Sequence, residues 1–133
     1  MILLDTHVLL WAVSDSDQLG RKSRRILDDA LAHEKLAVSA ISFWELAMLA
    51  ERQRIHLSVD LTSWRAEALR LGIVELVVTG MIAIAAGELA RMHGDPADRL
   101  IVASASLAGA ALMTADARIL RWKNPLQRHN ARR

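Results

Sequence analysis

The chain has 133 residues, 53% of them apolar, which gives room for one domain with one core and leaves apolar surface that we interpret as a partner site. It has no cysteine, which excludes disulfide scaffolds, thiolate zinc sites and cysteine nucleophiles. The net charge of +2 is uneven, because residues 1–117 hold 11 basic and 15 acidic side chains, whereas residues 118–133 hold six basic and none acidic.

The longest stretch without charged residues is Leu100 to Ala115, and its 16 residues fall short of the roughly 20 apolar residues of a membrane span. No signal peptide is visible in the sequence. We therefore expect a cytoplasmic protein without a membrane-spanning segment. The absence of cysteine also permits a reducing compartment.

The first predicted element is a strand at Met1–Leu4, which leads directly into Asp5. Four apolar residues without polar alternation are typical of a central strand of a parallel sheet, buried on both faces. Asp5 then lies at the carboxyl end of that strand, where open α/β sheets bind their ligands. The alternative is that Asp5 only caps the next helix, and on this stretch alone the two interpretations are equally good.

Strands and helices alternate along the rest of the chain. The predicted strands after the first are 36–40, 73–78 and 110–114, and the predicted helices begin near residues 8, 23, 42, 61, 81, 96 and 117. The helix that begins at Met81 is predicted to end at Met92. Such a succession predicts a three-layer α/β domain with a mainly parallel sheet of four to five strands flanked by helices. We assign residues 1–125 to this domain and residues 126–133 to a basic C-terminal tail.

Four acidic residues fall where predicted strands give way to helices, or in the first turn of a helix: Asp5, Glu45, Asp98 and Asp116. The carboxyl ends of parallel strands share one edge of a sheet, so these side chains can converge. Two carboxylates about 4 Å apart repel by roughly 4 kcal/mol at an effective dielectric constant of 20, and a divalent cation removes that cost. Oxygen ligands without cysteine indicate Mg²⁺, with Mn²⁺ as the alternative, and argue against zinc.

Each acid also has a purely structural interpretation. Ser42 and Glu45 have the spacing of a capping box, and Asp95 is a natural cap for a helix that starts at Pro96. Asp98 could complement the helix dipole, and Asp116 could cap the last helix. These interpretations explain the acids one by one but do not explain why four should lie on the same edge.

Four motifs, in order along the chain, resemble the signatures of PIN-domain ribonucleases, and more closely those of VapC toxins from bacterial type II toxin–antitoxin pairs. They are MILLDTHVLLW from Met1, VSAISFWEL from Val38, DPADRLIVA from Asp95 and TAD from Thr114. The resemblance covers the chain up to Trp122. Two departures are Ala97, where many relatives have an aromatic residue, and His93-Gly94, where a basic residue is common before Asp95.

The resemblance implies an endoribonuclease in which metal-held carboxylates activate water to cleave an RNA phosphodiester. Asp5 and Asp98 correspond to primary ligands, Glu45 to a ligand through water or a general base, and Asp116 to a ligand of a second ion or of an outer-shell water. Among flanking residues, Thr114 would support the site, Thr6 would orient Asp5, and Arg99 would contact phosphate or pair with an acid. His7 is a weak candidate.

The resemblance also implies a VapB-like antitoxin partner, a homodimer, and DNA contact only through the antitoxin. The alternative function is a catalytically weak binding module whose acidic pocket captures an arginine of a partner peptide. Trp11, Trp44 and Met48 could line a partner groove or belong to the core. A phosphoryl-accepting domain is disfavoured, because none of the three lysines follows a predicted strand.

The basic residues from Arg118 to Arg133 have two interpretations. They could contact RNA phosphates and so offset the acidic body, or they could form a solvated end without a part in binding. We predict the phosphate contacts.

Overall fold

The structure is a computed structural model that describes all residues from Met1 to Arg133. Its five strands are β1 (Ile2–Leu4), β2 (Leu36–Ser39), β3 (Val74–Leu76), β4 (Ala111–Thr114) and β5 (Arg128–Asn130). Its seven helices are α1 (Thr6–Val13), α2 (Arg21–Ala32), α3 (Ile41–Glu51), α4 (Leu61–Arg70), α5 (Gly80–Gly87), α6 (Pro96–Leu107) and α7 (Ala117–Arg121).

The strands form one parallel sheet in the order β3-β2-β1-β4-β5, with β1 at the centre. In the register of the sheet, Leu3 lies between Ala37 and Leu112. Leu3 and Leu4 are fully buried on opposite faces, because β1 has apolar side chains in both directions. The three-layer α/β prediction is therefore confirmed.

Each face of the sheet carries its own hydrophobic core. Leu4 packs in a cluster with residues of α1, α2, α3 and α4, which include Leu9, Leu27 and Trp64. Leu3 packs in a second cluster with α6 and α7. The helices thus cover both faces, and the carboxyl ends of the strands remain open at one edge of the domain.

The C-terminal residues form part of the sheet and are not a free tail. β5 pairs with β4, and the buried Ala131 donates its N–H to the Thr114 carbonyl at 2.8 Å. The next turn packs so closely on Gly20 that a Cβ there would lie 2.1 Å from the Arg133 backbone, so only glycine fits at that position. The sequence did not predict β5, because Arg-His-Asn has no apolar residue to mark a strand.

The connection between α5 and α6 is longer than predicted. The sequence predicted a helix through Met92, but α5 ends at Gly87, a residue of low helix propensity. The Arg99 guanidinium then takes the carbonyls of this segment as hydrogen-bond acceptors: Ala86, Gly87, Leu89, Met92 and His93. These bonds replace those that a continuing helix would have made.

None of the seven helices combines the length and the apolar character that crossing a bilayer requires.

Candidate metal centre

Three of the predicted acids meet at the carboxyl edge of the sheet. Asp5 directly follows β1, Glu45 lies in the second turn of α3, and Asp98 lies in the first turn of α6. One carboxylate oxygen from each lies within 4.8 Å of the other two. The structure therefore brings together side chains that are 40 and 53 positions apart in the sequence.

Asp5 caps α1 and also lies at the carboxyl edge of the sheet, as the two interpretations of the sequence predicted. It caps α1 by accepting the Thr6 N–H at 2.8 Å, and its other oxygen accepts the Thr114 hydroxyl at 2.6 Å. Thr114 in turn accepts the backbone N–H of Asp116 at 3.0 Å. Burial raises the pKa of Asp5 above its usual value, and these hydrogen bonds only partly oppose the shift.

Glu45 does not form the capping box that its spacing with Ser42 suggested. α3 begins one residue before Ser42, and the Ile41 N–H donates to Ser39 Oγ at 3.2 Å. The Glu45 carboxylate instead accepts the hydroxyl of Thr6, which shares a second hydrogen bond with Ser42 Oγ at 2.9 Å. Burial raises the pKa of Glu45 to about 7. Thr6 thus contacts Asp5 through its backbone N–H and Glu45 through its side chain.

Asp98 belongs to two sets of possible metal ligands. Its Oδ2 is 2.8 Å from His93 Nε2 and 3.6 Å from an Arg118 nitrogen. His93, Asp98 and Asp116 form a second set of possible ligands with atoms within 4.8 Å of one another. Burial raises the pKa of Asp98, and the His93 contact lowers it by less.

Asp116 and Asp95 both cap helices, as one interpretation of the sequence predicted. Asp95 accepts the Asp98 N–H at 3.1 Å, and Asp116 accepts the Arg118 N–H at 2.7 Å. Partial burial would raise the pKa of Asp116, but hydrogen bonds from the Arg118 side chain and backbone outweigh it and hold the pKa below its usual value. Asp116 is therefore the most readily ionised of the four clustered acids.

Arg99 does not contribute a charge to the centre. Its guanidinium donates to five carbonyls at the end of α5 and in the α5–α6 connection, and it contacts no carboxylate, so the predicted pairing with an acid is not formed. Arg118 instead is the arginine that pairs with the clustered acids. Its position two residues after Asp116 was a signal, although the sequence pattern groups it with the basic C-terminal residues.

The acids line an open cavity of about 480 Å³ at the edge of the sheet. Arginines line the same cavity and face the acids: Arg54, Arg118 and Arg132. The Arg132 guanidinium lies 5.0 Å from the ring centroid of Trp11, which is only 7% exposed and belongs to the core. Met48 is half-buried, whereas Trp44 is 50% exposed beside Glu45 and is thus the one of the three predicted groove residues that is free for a partner.

Comparison with known proteins identifies the family. Residues 2–124 match the PIN domain family. The chain belongs to the PIN domain family. It is also 38% identical over 128 residues to ribonuclease VapC22 of Mycobacterium tuberculosis, a match that covers 93% of each chain. The resemblance that the four motifs indicated is therefore confirmed.

Solved structures share the fold of this PIN domain. A chain from the crystal structure of DNA-bound VapBC from Salmonella typhimurium aligns with a TM-score of 0.70 and 20% identity, over 97% of this chain and 96% of that one. A chain from VapBC2 of Rickettsia felis bound to a promoter DNA fragment aligns with a TM-score of 0.67 and 20% identity, over 98% of both chains. At this identity the likeness establishes the fold alone.

The acid cluster of this PIN domain fits a hard divalent cation. The three closest side chains offer only carboxylate oxygens, which are the donors that Mg²⁺ and Mn²⁺ prefer. Two of them, Asp5 and Asp98, are buried, so their negative charges repel each other at a cost that an ion would offset.

We expect the metal-free protein to lose stability as the pH rises from about 4.5 to about 7. The folded state keeps the Glu45 proton up to a pKa of about 7, whereas the unfolded state releases it near the ordinary glutamate pKa of 4.5. Protons are thus held by the folded form and not by the unfolded form in this window, which makes the free energy of unfolding fall by on the order of 2 kcal/mol. Asp5 and Asp98 shift in the same direction.

Thermal unfolding in EDTA at pH 5.5 and pH 7.5 measures this effect. The acids with lowered pKa, such as Asp116 and Glu75, titrate below this window and do not reverse the trend. Adding Mg²⁺ or Mn²⁺ should reduce the difference between the melting temperatures at the two pH values, because the ion stabilises the ionised cluster. A higher melting temperature at pH 7.5 in EDTA would contradict the burial argument.

Proposed function

We propose that this PIN domain is a metal-dependent endoribonuclease and the toxin of a toxin–antitoxin pair. The observation that carries the proposal is the meeting of three carboxylates, from three separate elements, within 4.8 Å at the open edge of the sheet. The 38% identity with a ribonuclease supports the choice of RNA as substrate.

In the proposed reaction, Asp5 and Asp98 hold the ion, which is Mg²⁺ or Mn²⁺. When bound, the ion supplies Lewis-acid polarisation of the phosphate and of the attacking water. Glu45 would accept the proton from that water, because the positive charge of a bound ion would favour the ionised form of this buried carboxyl group, which is the form that acts as a general base. The water oxygen bonds to phosphorus as the P–O bond to the leaving nucleotide breaks.

Two hydroxyl groups keep the carboxylates in position. Thr114 fixes one oxygen of Asp5, and Thr6 fixes one oxygen of Glu45. Asp116 is the fourth acid, and we assign it to a second ion or to an outer-shell water. The other Glu45 oxygen has no protein partner, and each Asp5 oxygen accepts a single hydrogen bond and so keeps a lone pair that could bind the ion.

A partner protein would control this site. We propose a VapB-like antitoxin that covers apolar surface and sends a basic residue into the acidic pocket, and a homodimer of this chain. The side chains of Trp44, Met81 and Ile84 are 50%, 72% and 63% exposed, which is apolar surface that a partner can bury. DNA would be contacted only through the antitoxin, and the setting would be the cytoplasm.

The division of the chain at residue 125 separates the proposed ligands from the last strand. All proposed ligands lie in residues 1–125, which we propose as the nuclease unit, and residues 126–133 add the edge strand that pairs with β4.

The test is an RNA cleavage assay with the purified protein in Mg²⁺, in Mn²⁺ and in EDTA. We expect cleavage with either ion and none in EDTA, and inhibition when the antitoxin encoded beside the gene is added. If an arginine-bearing peptide binds the pocket but no RNA is cleaved with either ion, the protein is the binding module of the alternative function.

A further inference from the structure

A second cavity lies beside the acid cluster and has the opposite charge. Its volume is about 250 Å³, and its lining includes three arginines: Arg91, Arg118 and Arg121. It shares Arg118 with the acidic cavity, and its His93 contacts Asp98 at 2.8 Å. The two cavities are therefore neighbours joined at these two side chains.

We propose that this basic cavity binds a backbone phosphate of the RNA strand next to the one held at the acid cluster. The inference rests on the proposed function and names residues for substrate binding that lie outside the four clustered acids. The clustered acids repel the phosphates that neighbour the one held at the ion. Positive groups one step away would offset that repulsion.

The three arginines differ in whether they already pair with a carboxylate. Arg118 is already engaged with Asp116 at 3.2 Å and with Asp98 at 3.6 Å. Arg91 and Arg121 are exposed, and neither has a carboxylate within salt-bridge distance. Arg118 and Arg121 are three residues apart on α7, which places them on one side of the helix. Two guanidinium groups are thus free for phosphate oxygens.

The segment that carries Arg91 is held in place although it is neither helix nor strand. Arg99 donates to three of its carbonyls, those of Leu89, Met92 and His93, and Trp122 Nε1 donates to the Ala90 carbonyl at 3.0 Å. Arg91 itself has a φ of 59°, in the left-handed region that few non-glycine residues adopt. A clamped backbone directs Arg91 to the cavity at a low entropic cost of binding.

The experiment measures binding of a fluorescent single-stranded RNA by anisotropy in EDTA, so that no cleavage occurs, at several salt concentrations. The test variant is Arg91→Gln with Arg121→Gln. The matched control is Arg25→Gln with Lys35→Gln, which also removes two cations from the lining of one cavity, but at the amino end of the sheet near Met1. Melting curves verify that both variants fold.

We expect the test variant to lower the slope of log affinity against log salt by about 1.4, since each single-strand phosphate contact contributes about 0.7. Its affinity at low salt should fall roughly tenfold, while the slope of the control stays at the wild-type value. An unchanged slope in the test variant, or equal losses in both variants, overturns the inference. If the inference fails in this way but the wild-type protein cleaves RNA in Mg²⁺ or Mn²⁺, the proposed nuclease function still holds. If the wild-type protein neither binds nor cleaves RNA, both proposals fail.

Discussion

Replacing Asp98 with asparagine is expected to reduce RNA cleavage at least about a hundredfold and to leave the protein folded. The loss should exceed the 10- to 100-fold typical of an outer-shell residue, because Asp98 offers its oxygen directly to the cluster. Asparagine keeps an oxygen that can accept a hydrogen bond from His93, so the local packing is preserved. Burial raises the pKa of Asp98, and removing its charge should therefore not lower the metal-free melting temperature at pH 7.5.

The matched control for this variant is Glu51→Gln. Glu51 is an exposed acid at the end of α3, the helix that also carries Glu45, and its removal changes the net charge by the same amount. The Glu51→Gln variant should cleave RNA at the wild-type rate. Wild-type cleavage by Asp98→Asn at the same Mg²⁺ concentration would mean that the ion is held elsewhere.

Replacing Thr114 with valine should weaken Mn²⁺ binding about tenfold although Thr114 is not a proposed ligand. The change keeps the shape of the side chain but removes the hydroxyl that donates to Asp5 at 2.6 Å and accepts the Asp116 N–H at 3.0 Å. The pKa of Asp5 should rise further, because burial remains and one opposing hydrogen bond is lost. The unpaired Asp116 N–H costs about 1–3 kcal/mol of stability if no water reaches it.

Calorimetric titration with Mn²⁺ measures this change directly and does not depend on catalysis. Thr114→Ser retains the hydroxyl and should restore most of the affinity, which separates the hydrogen bond from the packing. Wild-type Mn²⁺ affinity in Thr114→Val would show that Thr114 acts only by filling the core and does not position Asp5.

The sequence was informative where buried strands run into acids. The unbroken apolar run before Asp5 predicted a central strand, and parallel topology then predicted that Asp5, Glu45 and Asp98 would come near one another. That inference needs only the sheet edge at which a residue lies, which the order of elements determines. It does not need the direction of any long side chain.

The sequence was uninformative for long polar side chains and for the edge of the sheet. Arg99 and Arg118 have similar sequence contexts beside acids, yet one stabilises a connection and the other faces the cluster, and only the packing of α5 against α6 distinguishes them. β5 is held by backbone pairing and by contacts of residues 130–133 with α2, so its side chains carry no apolar pattern. Glu45 matched a capping box by spacing alone, but α3 starts at Ile41, two residues too early for Ser42 to be its N-cap.

The central position of β1 has a consequence for synthesis on the ribosome. β1 pairs with β2 on one side and with β4, more than a hundred residues later in the chain, on the other. In a nascent chain, Asp5 therefore emerges well before Thr114, and the hydrogen bond between them cannot form until β4 has emerged and paired. Contacts of such long range slow folding, and they make the assembled acid cluster one of the last features of the molecule to appear. A ribosome that stalls partway releases a fragment without the centre.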